Sequence, residues 1–194
     1  MAACRSTCCP RTIPRIAAAA DVIRQRFTLA AGRAFFQGIS HTGLGTYLTL
    51  QLAAVGLRAG DWRVLDRLAW MLDAATPTWT WPEAVHPRLD GGCMGGGHHG
   101  WAAAELLTFV RDLVRGVTGG LALASLVPDA SYGRGWEVHD APTASGHVSH
   151  AVRWHGDRAA LGSGRSRPIR SGGDHVRLAA PGRDPSWSTT ERRD

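Results

Sequence analysis

The chain is predicted to be mainly α: helical hairpins followed by a small C-terminal β appendage. Three observations carry that expectation. Apolar residues recur at three- and four-residue spacing in four stretches between residues 13 and 117, the mark of amphipathic helices. The breaks between them are short or are punctuated by Gly and Pro. Past residue 120 the period falls to two, which is strand logic.

Residues 1–11 read as a disordered leader. From there Ile13, Ile16, Ala20, Ile23 and Phe27 mark one face of a first helix. Ala31 to Thr42 reads as a loop anchored by Phe35 and Phe36, with Ser40 or Thr42 as an N-cap. A second helix is expected from Leu44 to Ala59, its face made by Leu44, Tyr47, Leu48, Gln51, Leu52 and Val55, with Gly60 ending it. Asp61 can cap a third helix, residues 61–75, whose buried stripe is Leu65, Leu68 and Leu72. So short a connection folds these two back as an antiparallel pair. A fourth helix is expected over 102–117, with Leu106, Val110, Leu113 and Val117 in register and Leu107 and Val114 beside them. In the tail, Val148, Val152 and Trp154 alternate with Ser149, Ala151 and Arg153, a turn follows at Gly156-Asp157, and residues 175–179 make a second short strand. The Ser/Arg/Gly-rich run 162–173 predicts disorder. The domain boundaries that follow are 1–11, a helical domain at 12–120, a β appendage at 121–160 and a largely disordered tail at 161–194.

Length and charge exclude several classes of function. A chain of 194 residues with 44% hydrophobic content can bury one ordinary core. The net charge of +6 invites a nucleic-acid reading. The excess sits in the ends, however: residues 34–160 hold nine Arg against eleven acids, and all 22 basic residues are Arg. A phosphate-tracking face normally mixes Lys with Arg, so no nucleic-acid partner is expected. The uncharged run Ala34 to Leu57 is long enough to span a bilayer at roughly 20 residues. Its Gln, Ser, His, Thr and Gly content suits a helix buried in protein, so no membrane partner is expected either. Cys4, Cys8 and Cys9 lack paired CxxC spacing, which points to reduced thiols and a cytoplasmic setting.

The loop from Trp79 to Trp101 holds residues that a plain helical fold would not need: three Trp, three His, one Glu between prolines, and six Gly. Trp79, Trp81 and Trp101 offer flat apolar faces, and His86, Arg88, His98 and His99 offer polar partners. Together they suit a saccharide, which has apolar ring faces and a hydroxyl rim. Glu83, held between Pro82 and Pro87, is placed for acid–base work on a glycosidic bond. The runs Trp-Pro-Glu-Ala-Val-His-Pro-Arg, Gly-Gly-Cys-Met-Gly and His-Gly-Trp-Ala-Ala-Ala-Glu resemble the C-terminal hairpins of bacterial six-hairpin glycosidases, whose relatives include trehalases and processing and debranching α-glucosidases. Glu83, Pro87, Gly91, Trp101 and Ala102 carry the likeness, which covers about residues 22 to 160. It implies a partial (α/α)6 toroid of hairpins, glycoside hydrolysis with Glu83 as the general base, a carbohydrate partner, and no metal or organic cofactor. Val85 stands where such enzymes often have Tyr. Twelve helices make such a toroid and four are legible here, so a fragment weak or inactive alone is expected.

Other readings of the same loop stay open. One is a non-catalytic carbohydrate-binding or interaction fragment. Gly95 to Gly100 also satisfies the GxGxxG dinucleotide fingerprint before a helix, with Leu121 to Val127 as a possible strand. A metal site from Cys93, His98 and His99 lacks HxH or HxxxH spacing. Finally, the tryptophans can be core and the glycines a tight helix entry.

Overall fold

A computed structural model describes residues 14–29, 34–37, 43–59, 61–115, 121–123, 133–143, 146–155, 158–165, 176–178 and 190–191. The expected leader, the expected N-cap at Ser40 or Thr42 and most of the expected disordered tail lie outside these. Two compact units divide the chain, Met1–Val110 and Arg111–Asp194.

The four expected helices form: α1 Pro14–Phe27, α2 Thr46–Arg58, α3 Val64–Asp73 and α4 Gly100–Arg115. The mainly α expectation, and with it the partial (α/α)6 toroid, is overturned. The first unit also holds a five-stranded sheet, ordered β1 (Thr28–Leu29), β2 (Ala34–Gln37), β3 (Gly43–Gly45), β4 (Ala84–Val85) and β5 (Gly92–Met94). Every pair in it is antiparallel. The loop expected at Ala31 to Thr42 thus contains strand β2, and two strands lie inside the 79–101 loop. The protein is mixed α/β. Strands of two to four residues are too short to display a period of two, and Gly-Leu-Gly in β3 has little strand propensity.

Helices α2 and α3 are inserted between neighbouring strands β3 and β4. They pack antiparallel: Val64 at the start of α3 meets Gly56 near the end of α2, whereas Trp70 and Ala74 at the other end of α3 pack on the sheet core of Ala34, Leu44 and Val85. A second cluster joins α1 to α2 through Ala20, Leu52 and Val55, with Ile16, Ile23 and Phe35 against it. In α2 burial extends past one face, to Thr46, Thr49, Leu50, Ala53 and Leu57.

The buried stripes of the other two helices are rotated from their expected phase. In α3 the buried residues are Val64, Arg67 and Met71, while Leu72 is exposed. In α4 they are Ala102, Glu105, Phe109, Asp112 and Leu113, while Leu107 and Val110 are exposed.

In the second unit, β7 (Trp136–Thr143), β8 (Gly146–His155) and β9 (Arg158–Arg165) make an antiparallel meander. The expected strand at 148–154 lies within β8, and the expected strand at 175–179 contains β10 (Val176–Leu178). The alternation Val148, His150, Val152 is buried. The ladder extends to Arg165, paired with Val148, so it enters the run whose composition predicted disorder. A small sheet adds β6 (Leu121–Leu123), parallel to β10, and β11 (Thr190–Glu191). Among the described residues no helix is long and apolar enough to cross a membrane.

Candidate functional site

Two buried threonines at the start of α2 fix the site's backbone. Thr49 Oγ1 donates to the Gly45 carbonyl at 2.6 Å and accepts from the Phe35 amide at 2.9 Å. Thr46 Oγ1 donates to the carbonyls of Pro82 and Glu83 at 2.9 and 3.0 Å, and the Thr46 amide donates to the Glu83 carbonyl at 3.0 Å. The Glu83 amide in turn donates to the Met94 carbonyl at 3.0 Å. Glu83 is therefore pinned on both sides of its Cα, a placement that a mobile loop would not give it.

The side chain of Glu83 is 23% exposed and faces His99, with Oε2 3.8 Å from Nε2. That gap is too long for a direct hydrogen bond. It is short enough for one hydroxyl to reach both groups. His99 is set by its own backbone: its amide donates to the Trp81 carbonyl at 2.8 Å, and its carbonyl accepts from the amides of Ala102 and Ala103, which starts α4. The His99 Nδ1 is buried without a hydrogen-bond partner.

Aromatic rings wall this pair. Tyr47 lies 5.3 Å from the His99 ring and 5.6 Å from Trp101, and His99 lies 5.8 Å from Trp101, both Trp101 contacts being edge-on. Burial first, and then the negative charge of Glu83, push the Tyr47 phenol above its ordinary value, so it stays a neutral donor. Below this trio, Gln51 Nε2 donates to the buried Glu105 at 3.1 Å. Tyr47 and Gln51 are one turn apart on α2, as Trp101 and Glu105 are on α4, so two polar–aromatic faces meet.

Tyr47, Gln51 and Glu105 were missed in the sequence because Tyr47 and Gln51 read as a helix face and Glu105 entered only as the end of the run His-Gly-Trp-Ala-Ala-Ala-Glu. The available signal was the repeated aromatic–polar pair at i, i+4.

The expected site residues separate. Glu83, His99 and Trp101 come together. Trp81 does not join them: it is 3% exposed and its indole Nε1 donates to the Met71 carbonyl at 2.7 Å. Its ring is core and presents no face to a ligand. Trp79 is exposed, at a backbone φ of 57°. His86 organises a local turn, its Nδ1 accepting the amides of Arg88 and Leu89 at 3.2 and 3.3 Å, while its amide donates to the Gly91 carbonyl at 2.7 Å. Arg88 and His98 are exposed.

Gly95 has a specific task. Its φ is +75°, and a Cβ there would stand 3.0 Å from both the Cβ and the amide nitrogen of Glu83, so glycine lets the backbone pass under the carboxylate-bearing residue. It does follow strand β5 and precede α4. The sheet holding β5 is antiparallel throughout, however, so the parallel βαβ setting of the dinucleotide fingerprint is not built around it. Among the described residues, no group of three His, Cys, Asp or Glu side chains is arranged to hold a metal ion.

No protein-family model, no curated protein and no solved structure matches the chain.

Proposed function

We propose that Glu83, His99, Tyr47 and Trp101 form a carbohydrate-binding site. The observation that supports it is one arrangement: a carboxylate and an imidazole 3.8 Å apart, beside a tryptophan that is 67% exposed. A saccharide fits that pattern, because one ring face can lie on Trp101 while a hydroxyl bridges Glu83 and His99. Glu83 accepts, Tyr47 donates, and His99 does either according to its tautomer. The backbone bonds to Thr46 and Met94 supply preorganisation, which lowers the ordering cost of binding.

Calorimetric titration with a panel of neutral mono- and disaccharides in both anomeric linkages tests the reading. Affinity for at least one sugar is expected to fall roughly tenfold or more in Trp101→Ala and in Glu83→Gln, the scale of losing one hydrogen bond to a charged group. Unchanged affinity in both variants, or no binding across the panel, refutes it.

A second reading, glycoside hydrolysis, rests on the same pinned and partly buried Glu83. There Glu83 takes the proton of a water whose oxygen attacks the anomeric carbon, and a second carboxyl group protonates the departing oxygen. The inverting form needs that group about 6.5–9.5 Å away. Slow or absent turnover is expected for this chain alone, and turnover abolished by Glu83→Gln would favour hydrolysis over binding.

A further inference from the structure

The buried stripe of α3 contains a charge that the carbohydrate reading does not use. Arg67 sits between Val64 and Met71 on that stripe and is 6% exposed. Its Nη1 is buried with no hydrogen-bond partner. A buried cation without an acceptor is among the most costly groups a fold can hold. Arginine cannot escape that cost by giving up its proton.

The carboxylate beside it is already saturated. Asp61 Oδ1 accepts the amide and Nε of Arg63 at 3.1 and 2.8 Å. Oδ2 accepts Arg63 Nη2 and Arg24 Nη1, each at 3.0 Å. Four donors fill the roughly four lone-pair sites of a carboxylate. Arg24 also pairs with Asp21. Asp66 is exposed and adjoins Arg67 in sequence, so it leaves α3 in a different direction. Burial and then the charge of Arg24 push the Arg67 guanidinium below its ordinary value, against the opposing pull of Asp61. Two guanidiniums, from α1 and from the α2–α3 connection, thus meet on Asp61, and the charge of both acts on Arg67 of α3, whose buried Nη1 lacks an acceptor.

We propose that Arg67, with Arg24 and Arg63, receives a phosphate-type oxyanion, free or as a monoester. Arg67 is the buried anchor, and Arg63, whose side chain is 62% exposed, stands at the rim. Guanidiniums contributed by three segments suit a tetrahedral group with three free oxygens better than a planar carboxylate. The end of α3 is not itself the receptor, because the amides of Arg63, Val64 and Leu65 are taken by Asp61 and Trp62.

Thermal unfolding of the full chain in sodium phosphate, against sodium chloride at equal ionic strength, tests this. The melting temperature is expected to rise and saturate with phosphate only. Glycerol phosphate reproduces the effect if a monoester is accepted, and inorganic phosphate alone acts if it is not. In Arg67→Met the phosphate response disappears, while stability without phosphate is retained or raised, since Met keeps the packing and removes the orphan charge. Should that variant not fold, Arg63→Gln is expected to weaken phosphate by about tenfold, the worth of a hydrogen bond to a charged group. An absent phosphate effect on the wild type, or an equal effect in wild type and folded variants, overturns the proposal.

Discussion

Replacing Trp81 with phenylalanine is expected to cost stability and to leave the sugar site's chemistry in place. The indole is 3% exposed and its N–H reaches the Met71 carbonyl at 2.7 Å. That carbonyl lies in the last turn of α3, where the amides of Ala74 and Ala75 bond to Trp70 and Leu72. Trp81 therefore supplies the donor that the helix end lacks. Phenylalanine leaves a buried acceptor unpaired, at about 1–3 kcal/mol. The vacated part of the ring adds a small cavity, which brings the total to about 2–4 kcal/mol. For a unit of about a hundred residues, each kcal/mol lowers the melting temperature by about 4–8 °C. Urea unfolding followed by circular dichroism measures the loss, and sugar titration well below the midpoint measures the site. Trp101→Ala is the matching control. With 67% of its surface exposed, Trp101 should change stability by no more than about 0.5 kcal/mol while sugar affinity falls. If Trp81→Phe keeps its urea midpoint and loses sugar binding, Trp81 is a ligand face and the packing argument is wrong.

Gly95→Ala and Gly97→Ala separate strain from crowding. Both positions have φ near +75°, where a side chain costs about 1–2 kcal/mol. Only at Gly95 does a Cβ also meet Glu83. Gly95→Ala should therefore lose more stability and also sugar affinity, while Gly97→Ala pays the backbone cost alone, and equal affinities in calorimetry would contradict the assigned role of Gly95. In the second unit, His150 is buried with both ring nitrogens unpartnered, edge-on to Trp136, and burial holds its pKa below the ordinary 6.5. The folded state keeps it neutral while the unfolded chain takes up a proton near 6.5. Stability is therefore full above that pH and falls as pH drops below it. The urea midpoint should decline with acidification in the wild type, and less so in His150→Phe.

The helices were legible because their signal is local. Ile16, Ala20 and Ile23 repeat at the helical period over enough turns for α1 to be read, and the alternation of Val148, Val152 and Trp154 with Ser149, Ala151 and Arg153 ran long enough for β8. The phase of a helix is a different matter. In α3, Leu65, Leu68 and Leu72 fit an apolar stripe as well as Val64 and Met71 do, and nothing in the chain says which side meets α2. That choice put Arg67 inside, where composition would never place it. In α4 the same ambiguity buried Glu105 and exposed Leu107.

The site shows the same division. The 79–101 loop was identified by its unusual residues, and Glu83, His99 and Trp101 do converge. Tyr47 joins them from 36 residues before Glu83, because α2 and α3 are inserted between two strands that pair, a fact recorded in no local pattern. Trp81 and Trp79 are separated in the sequence by a single threonine, yet one is core and the other solvent-exposed. Residue type and spacing determined where helices form and which loop is chemically loaded, since both depend on neighbours along the chain. The five-stranded sheet, the buried side of each helix and the membership of the site depend on pairings between distant segments, so only the tertiary structure decided them.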